Sequence, residues 1–348
     1  MKLLFTGDIN FRGIDNLDYD KSLEILNDII PYTKSVDFVI PNLECPLGNK
    51  EDYMPIKKAG PNLICPKNCI SFLKVMNTYA VTLANNHIGD YGERALNNTL
   101  KLLDENNIKY AGAGNNISEA YSAMRISKAG ITISLLSVCE NEFGIAKENK
   151  AGSAGYNPRL LMNKIQAEKN VSDFIIVVFH GGNEHNPLPS PDTVERYRFI
   201  CDMGADAVIA GHTHCPQGYE TYNGKPIIYS MGNFLFKNTE KTDNKDSWYY
   251  GYFTILDINK SKISFDIVPY QFDIPVTKIT VFDGESKAEM NRYIDNLTDY
   301  DSSGNYDLLK CEAHLSQAKQ IFEILFNDEV DNTKIWQKKI SELQKMPV

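Results

Sequence analysis

Short apolar stretches recur along the chain, and each runs directly into polar residues. Six of them have the length and the β-branched content of buried strands: residues 3–6, 36–40, 79–83, 174–179, 207–210 and 227–229. Apolar positions at helical spacing between them predict helices over residues 22–30, 93–106 and 193–203, and Asn157-Pro158 has the residue types of a helix start. This alternation predicts an α/β fold with βαβ units and a largely parallel sheet.

The pattern changes after about residue 218. Residues 248–258 and 262–272 alternate apolar and polar positions, which predicts an antiparallel hairpin and, with it, a second sheet packed on the first. From about residue 285 the apolar spacing is again helical, and no polar cluster of the earlier kind occurs. We therefore expect two domains, a main domain over residues 1–275 and a helical appendage for packing or oligomerisation over residues 276–348.

Composition narrows the classes of partner. The net charge of −9 argues against broad binding to nucleic acid or to anionic membranes, because phosphate surfaces require positive charge. No apolar stretch is long enough to predict a membrane span, and the first apolar run is too short for a signal-peptide core. The seven cysteines are scattered and odd in number, so we expect buried, reduced thiols in a cytoplasmic protein.

The candidate functional residues are mainly the polar residues that follow the six predicted strands. The carboxyl ends of strands in open α/β sheets are where ligands bind, and five of the six histidines lie there, with His314 as the exception. Asp8 alone would be an ordinary turn residue, and the pair His212 and His214 alone could be hydrogen-bonded in a core. Because a regular strand would place those two histidines on one face, they could also converge on a metal ion.

The combined set predicts metal binding more strongly than any single motif. Mixed oxygen and nitrogen ligands of this kind suit two divalent ions that share a bridging carboxylate. The residues are Asp8, Glu44, Asn86, His180, His212 and His214.

The order of these motifs resembles the calcineurin-like metallophosphoesterase superfamily, and more specifically its bacterial capsule-synthesis branch (poly-γ-glutamate synthesis, CapA-type). The resemblance covers about residues 3–236 and rests on six motifs in order: Gly-Asp, Asn-Leu-Glu, Asn-Asn-His, His-Gly-x-x-Glu, Gly-His-x-His and Tyr-Ser-x-Gly-Asn-Phe. It implies a four-layer α/β/β/α sandwich with a dinuclear centre between the sheets, to which this chain adds a C-terminal helical extension. The main domain would then be the catalytic one.

The resemblance also implies roles for individual residues. Asp8 and His214 would hold one ion, Asn86, His180 and His212 would hold the other, and Glu44 would bridge them. The ions would be Mn, Fe or Zn. His87 would contact the phosphoryl oxygens and help to protonate the leaving group, so that the catalytic residues are His87, Asp8 and Glu44.

Two positions depart from the superfamily pattern. Asn10 stands where the wider superfamily has a histidine ligand, and an amide is a poorer ligand for a transition metal than an imidazole. Weak ligation, orientation of a water and no ligation all remain open for Asn10. Glu44 stands where the superfamily usually has Asp, which adds one methylene to the bridging side chain.

Four further residues are candidates for substrate binding: Arg12, Glu184, His185 and Asn233. The predicted function is a metal-dependent phosphoesterase in which an activated hydroxide attacks a phosphoester of a small or glycan-linked anionic substrate. The alternative is a non-hydrolytic, metal-binding role in making a capsule polymer, because fold alone does not settle function. We expect no nucleic-acid partner, and the sequence does not predict an oligomeric state.

Overall fold

The computed structural model describes residues 1–14, 17–58, 60–238 and 246–297. Within them the strands, in chain order, are β1 (Lys2–Asn10), β2 (Phe38–Leu43), β3 (Ala80–Thr82), β4 (Lys109–Ala111), β5 (Ala113–Gly114), β6 (Met124–Lys128), β7 (Ile131–Cys139), β8 (Gly152–Ser153), β9 (Phe174–His180), β10 (Ala207–Gly211), β11 (Tyr219–Tyr222), β12 (Lys225–Ile228), β13 (Asn233–Phe236), β14 (Tyr250–Ile258), β15 (Ile263–Phe272) and β16 (Ile279–Val281). The α-helices are α1 (Tyr19–Leu26), α2 (Ile30–Ser35), α3 (Ile70–Val75), α4 (Gly92–Glu105), α5 (Ile117–Ala120), α6 (Pro158–Glu168), α7 (Pro191–Asp202) and α8 (Gly284–Asn296).

Two large sheets carry most of these strands. The first has the order β16-β15-β14-β1-β2-β3-β4, and β13 also pairs with β1. The second has the order β11-β12-β10-β9-β7-β6. The neighbours β1, β2, β3 and β4 are parallel, and so are β7, β9, β10 and β12. Each sheet therefore has a block of parallel strands whose carboxyl ends lie along one edge.

Apolar side chains alternate along the strands, and those on the inner face of each sheet pack the two sheets face to face. Leu3 and Phe5 of β1 lie in one buried cluster with Ile176 and Val178 of β9, between the sheets. Leu4 points to the opposite side of β1, where a second cluster packs that face against helices α1, α3 and α4. The outer face of the second sheet packs in the same way against α6 and α7. The predicted four-layer α/β/β/α sandwich is confirmed.

The predicted hairpin forms, but it belongs to the first sheet. Strands β14 and β15 pair antiparallel over their length, and β14 then pairs with β1. The prediction that this hairpin begins the second sheet is wrong, because residues 124–228 supply the second sheet instead. Alternating apolar residues predict a half-buried strand without identifying its neighbour.

The first sheet also continues past residue 275, since β16 pairs with β15. Helix α8 then follows, and residues 298–348 of the predicted appendage lie outside the described residues. The domain boundary stays a prediction. Among the described helices, none is long and apolar enough to cross a membrane.

The predicted helices occur with small differences in their ends. The segment predicted as one helix over residues 22–30 is divided between two helices. Helix α1 ends at Leu26, and α2 starts at Ile30 with Pro31 in its first turn. Asn157 caps α6 by accepting a hydrogen bond from the backbone N–H of Leu160 at 3.0 Å. Helices α4 and α7 match the predictions for residues 93–106 and 193–203 within two residues at each end.

A close approach of two backbones fixes the edge of β1 that carries the polar residues. A Cβ added to Gly7 would lie 1.8 Å from the carbonyl oxygen of Gly232. That carbonyl accepts a hydrogen bond from the backbone N–H of Asp8 at 3.1 Å, and Asp8 is in register with Asn233 of β13. Glycine at position 7 therefore lets β13 lie directly beside the end of β1.

We predict that Gly7→Ala destabilises the protein by about 1–3 kcal/mol or more, because the clashing atom belongs to the backbone. It should also displace Asp8 and so weaken divalent-metal binding. Gly48→Ala is the matched control, since the three atoms nearest to its added Cβ all belong to the Tyr53 ring, which can move. Denaturant unfolding and metal titration of both variants measure the two effects, and equal losses in the two variants would contradict the assignment.

Candidate metal centre

The polar clusters predicted from the sequence meet where the parallel strands of both sheets end. Asp8 lies in β1, Glu44 follows β2, and His180 is the last residue of β9. Asn10 is the last residue of β1, and the loops after β3 and β10 supply the other residues. All of the following side chains are buried: Asp8, Asn10, Glu44, Asn86, His87, His180, His212 and His214.

Two groups of these side chains have ligand atoms within 4.8 Å of one another, and Glu44 belongs to both. One group is Glu44, His180 and His212, and the other is Asp8, Glu44 and His214. The resemblance implies the same grouping with Asn86 added to the first group, and metal ligation by these residues stays a prediction. The geometry gives two candidate metal positions that share one carboxylate.

Glu44 is the most unusual side chain of the centre. It is 0% exposed, and neither of its carboxylate oxygens has a hydrogen-bond partner. Burial, followed by the nearby charges of Asp8 and Glu184, raises the pKa of Glu44 well above its usual value. A buried carboxylate without partners is costly unless a cation compensates it. The donor set around Glu44 therefore fits divalent metal ions.

Asp8 has the opposite electrostatic setting. Its Oδ1 accepts from Asn42 Nδ2 at 2.7 Å, and its Oδ2 accepts from the backbone N–H of His212 at 2.9 Å. Burial alone would raise the pKa of Asp8, but His180, His214 and Asn42 together lower it to about 2. Asp8 is thus an anionic ligand over the whole physiological range.

Hydrogen bonds orient the imidazoles toward the centre. His214 Nδ1 lies 2.8 Å from Asn233 Oδ1, which leaves Nε2 available for a metal. His180 Nε2 lies 3.1 Å from His212 Nδ1 and 3.2 Å from Asn86 Oδ1. These three atoms face one another, so the structure places Asn86 beside His180 and His212, and its ligation of a metal stays a prediction.

The two histidines of the His-x-His motif do not lie on a regular strand. Strand β10 ends at Gly211, and His212 and His214 have φ angles of +101° and +57°. Positive φ angles are rare for residues other than glycine, and the residues that adopt them cluster at functional sites. The expectation that strand geometry brings the two together is wrong. A strained turn does so instead, with ring centroids 6.1 Å apart.

Asn10 is close to the centre, but backbone groups engage its amide. Its Nδ2 donates to the carbonyl oxygen of Glu44 at 3.0 Å, and its Oδ1 accepts from the backbone N–H of Arg12 at 2.9 Å. Cys65 Sγ lies 3.6 Å from the same oxygen. These contacts support the turn after β1, and ligation by Asn10 stays a prediction.

One ring nitrogen of His87 faces the centre, and the other ring nitrogen faces a buried ion pair. Its Nε2 lies 4.0 Å from Glu44 Oε1, and its Nδ1 lies 2.7 Å from Asp90 Oδ2 and 3.0 Å from Lys58 Nζ. Burial, assisted by Lys58 and His214 and opposed by Asp90, lowers the pKa of His87 to about 4. His87 is therefore neutral near pH 7.

Of the four predicted substrate residues, Glu184 and His185 flank the centre. Glu184 is half-exposed, with Oε1 4.0 Å from His212 Nε2. Burial alone would raise the pKa of Glu184, but the neighbouring histidines lower it below its usual value. The ring of His185 lies 5.8 Å from that of Trp248, which in turn lies 4.6 Å from that of His214. Aromatic rings thus line one side of the centre.

Arg12 and Asn233 occupy different places. Arg12 is exposed and lines a cavity of about 270 Å³ together with Lys50, Asn62 and Tyr91. Asn233 is fully buried. Its Oδ1 is hydrogen-bonded to His214 Nδ1, and its Nδ2 donates to the backbone carbonyl oxygen of Trp248 at 3.1 Å. These contacts give Asn233 a supporting role toward a histidine.

Sequence reasoning missed five residues that contact the centre. Asn42 was visible, since it precedes Glu44 in the Asn-Leu-Glu motif, and Asp90 lies three residues after His87. No sequence signal marked the other contacts, because they come from irregular segments that are distant along the chain. The full set is Asn42, Lys58, Asp90, Glu142 and Trp248.

Comparison with known proteins agrees with the motif pattern. The family model described as "Bacterial capsule synthesis protein PGA_cap" matches residues 2–238. The chain is 30% identical over 237 residues to the PGA biosynthesis protein CapA of Bacillus subtilis (strain 168), which covers 67% of this chain and 62% of that protein. It is 29% identical over 231 residues to the capsule biosynthesis protein CapA of Bacillus anthracis, covering 64% and 56%. The matched region thus spans less than two thirds of these relatives.

Among solved structures, a phosphatase from Mycoplasma pneumoniae is similar with a TM-score of 0.47 and 15% sequence identity. That alignment covers 85% of this chain and 98% of the other. A hypothetical protein from Thermus thermophilus also has a TM-score of 0.47, with 13% identity, covering 78% and 99%.

We predict that Glu44→Gln stabilises the metal-free protein at neutral pH and removes its stabilisation by metal. Because the folded pKa of Glu44 is raised, its charge costs stability increasingly as the pH rises above the ordinary glutamate value of 4.5. The amide removes that cost, whereas bound metal stabilises only the wild type. Thermal unfolding between pH 5 and about pH 8, with chelator and with added Zn²⁺ or Mn²⁺, tests both parts. A metal-free variant less stable than the wild type would contradict this account.

We also predict that His180→Ala and His212→Ala lower the bound metal and leave the fold intact, since each removes a ligand from a group of three. His185→Ala is the control, because its side chain is outside both groups. Elemental analysis with circular dichroism checks the outcome. Full metal content in either ligand variant would show that the assignment is wrong.

Proposed function

We propose that this chain, which belongs to the bacterial capsule synthesis protein family, is a metal-dependent phosphoesterase-like hydrolase acting in capsule or surface-polymer metabolism. The observation that carries the proposal is the buried Glu44 carboxylate, which has no hydrogen-bond partner and is shared by two groups of metal-type ligands. A carboxylate in that setting is suited to lie between two cations.

The residues divide between two ions. Asp8, Glu44 and His214 would hold one, and Glu44, Asn86, His180 and His212 would hold the other. Divalent Mn, Fe or Zn in these positions would lower the pKa of a water and draw negative charge from the phosphoryl oxygens. Asn42 and Asn233 hold Asp8 and His214 in place through hydrogen bonds of 2.7 and 2.8 Å.

His87 is the candidate hydrogen-bond donor. It is neutral near pH 7, and its Nε2 is the nitrogen that faces Glu44. In this proposal the Nε2–H group donates a hydrogen bond to the leaving oxygen and stabilises the charge that develops there as the phosphoester bond breaks, so the ring stays neutral. A donor aimed at developing charge contributes about 10²–10³-fold to a rate.

An anionic substrate fits the surroundings of the centre. Arg12 and Lys50 line a cavity in which Arg12 and Tyr91 are close in sequence to Asn10 and Asp90. A guanidinium pairs with carboxylate or phosphate, which suits a small or glycan-linked phosphoester from an acidic polymer. The names of these two relatives place those proteins in PGA biosynthesis and in capsule biosynthesis. The predicted cytoplasmic location is supported by the buried thiols of Cys45, Cys65, Cys69, Cys139 and Cys201 in the described part of the chain.

One observation favours a second candidate, a non-hydrolytic metal-binding role in capsule synthesis. The resemblance places a histidine ligand where this chain has Asn10, and backbone groups hold both ends of the Asn10 amide. The group of Asp8, Glu44 and His214 would then have one ligand fewer than usual. A weaker first site could bind metal without supporting turnover.

We predict that purified protein binds close to two metal ions per chain and hydrolyses p-nitrophenyl phosphate or its bis ester when Mn²⁺, Zn²⁺ or Fe²⁺ is added. His87→Ala should keep the metal and lower kcat by about 10²-fold or more, because the hydrogen-bond donor toward the leaving oxygen is lost. Elemental analysis and initial rates on both proteins measure this. Bound metal without turnover on either ester would favour the non-hydrolytic role, and unchanged kcat in the variant would remove the proposed function of His87.

A further inference from the structure

Glu142 reaches the metal centre from a segment that contributes none of the candidate ligands. It lies in residues 140–151, which connect β7 to β8 and contain no helix or strand. The residue is exposed to solvent, yet its Oε2 accepts a hydrogen bond from Nδ2 of the buried Asn86 at 2.9 Å. Because Asn86 is proposed to hold a metal ion, this contact bears directly on the centre.

The contact decides which end of the Asn86 amide faces the centre. A side-chain amide has donors on its nitrogen and an acceptor in its oxygen, whereas a carboxylate can only accept. With its NH₂ group on Glu142, Asn86 directs Oδ1 toward His180, whose Nε2 lies 3.2 Å away. The amide oxygen can bind a cation, but a rotated amide would present only N–H donors there.

The backbone around Asn86 is fixed by other residues. Asn85 Oδ1 accepts from the backbone N–H groups of His87 and Ile88 at 3.2 and 2.8 Å. Asn85 Nδ2 donates to the backbone carbonyl oxygen of Leu43 at 2.9 Å. These hydrogen bonds hold the turn but leave the rotation of the Asn86 amide itself undetermined. Among the residues that the structure describes, Glu142 supplies the acceptor for its Nδ2.

The segment that carries Glu142 is anchored on both sides of it. The backbone N–H of Glu140 donates to the carbonyl oxygen of His180, the last residue of β9, at 3.0 Å. A Cβ added to Gly89 would lie 2.8 Å from the Cα of Gly144, so these two backbones pass in close contact. Neither contact involves the Glu142 carboxylate. Substitution of that side chain should therefore leave the segment in place.

We propose that Glu142 is a positioning residue for a divalent metal ion, because its carboxylate holds the Asn86 amide with Oδ1 turned toward His180 and His212. The inference rests on the proposed function for the metal centre alone and requires no turnover. Without Glu142 the amide is free to rotate, and its NH₂ group can then replace the oxygen at the centre. Loss of a group that orients a metal ligand lowers metal affinity by about 10–100-fold.

The Mn²⁺ affinity of the whole chain, measured by isothermal titration calorimetry, tests the proposal. Glu142→Ala should raise a Kd about tenfold or more. Glu142→Gln should stay close to the wild type, because its Oε1 still accepts from Asn86 Nδ2. Glu148→Ala is the matched control, since it removes an exposed glutamate from the same segment, and it should match the wild type. An unchanged Kd in Glu142→Ala, or equal losses in Glu142→Ala and Glu142→Gln, would overturn the proposal.

A double-mutant cycle separates an effect through Asn86 from a direct effect on the ion. In an Asn86→Ala background the amide is absent, so adding Glu142→Ala should cause no further loss of affinity. A further loss as large as that in the wild-type background would show that Glu142 acts independently of Asn86, which would contradict the assignment. Circular dichroism checks that each variant is folded.

NMR of the metal-free wild type tests the orientation without any substitution at position 142. The side-chain NH₂ signals of Asn86, assigned through Asn86→Ala, should show nuclear Overhauser contacts with the methylene protons of Glu142. Contacts with the ring protons of His180 or His212 in their place would show the opposite orientation and overturn the proposal.

The outcomes also distinguish this inference from the proposed hydrolase activity. Metal binding without turnover in the wild type would count against the hydrolase and leave the role of Glu142 supported by the affinities. A wild type that binds no divalent metal would overturn both.

Discussion

The structure of the centre depends on an unpaired negative charge at Glu44. Its carboxylate is fully buried, neither oxygen has a hydrogen-bond partner, and the nearest imidazole nitrogen is 3.6 Å away on His180. Such a group costs several kcal/mol unless something compensates it. Every neighbouring ligand type is an oxygen or nitrogen donor that suits a cation. Stability given up at a site in this way is a common feature of functional centres.

The two-sheet architecture is what allows this charge to be buried. Apolar residues of both sheets fill the interface behind the centre, and the carboxyl ends of two parallel blocks open at the same edge. The contact between Gly7 and Gly232 brings β13 against β1, so that Asn233 reaches His214. The strained backbone of His212 and His214 is maintained by this packing, since a turn with such φ angles persists only where its surroundings determine it.

Much of this could be predicted from the sequence, and the failures have physical causes. Parallel strands place their carboxyl ends together, so a polar residue directly after an apolar run could be assigned to the centre, as with Asp8, Glu44 and His180. The partner of the hairpin β14–β15 could not be predicted, because alternation shows which face is buried and not which strand lies beside it. Lys58 comes from an irregular segment, where no periodicity indicates the direction of a side chain, and Trp248 lies in a short 3₁₀ helix before the strand that alternation predicted. Conversely, Asn10 has the right position, and only its hydrogen bonds reveal that backbone groups already use its amide.

The charges around the centre bear on whether metal or substrate would bind there first. Glu44 is close enough to Asp8, Glu184 and Asp90 for each to raise its pKa, whereas Lys58 is the cation that lowers it. Lys58 is itself paired with Asp90 at 2.6 Å, so little positive charge remains for the other three carboxylates. Without metal, the site therefore attracts cations and repels an anionic phosphoester. Binding of divalent ions would reverse the sign of the local field, and an acidic substrate could then approach a protein whose net charge is −9. These charges would therefore favour metal binding before substrate binding.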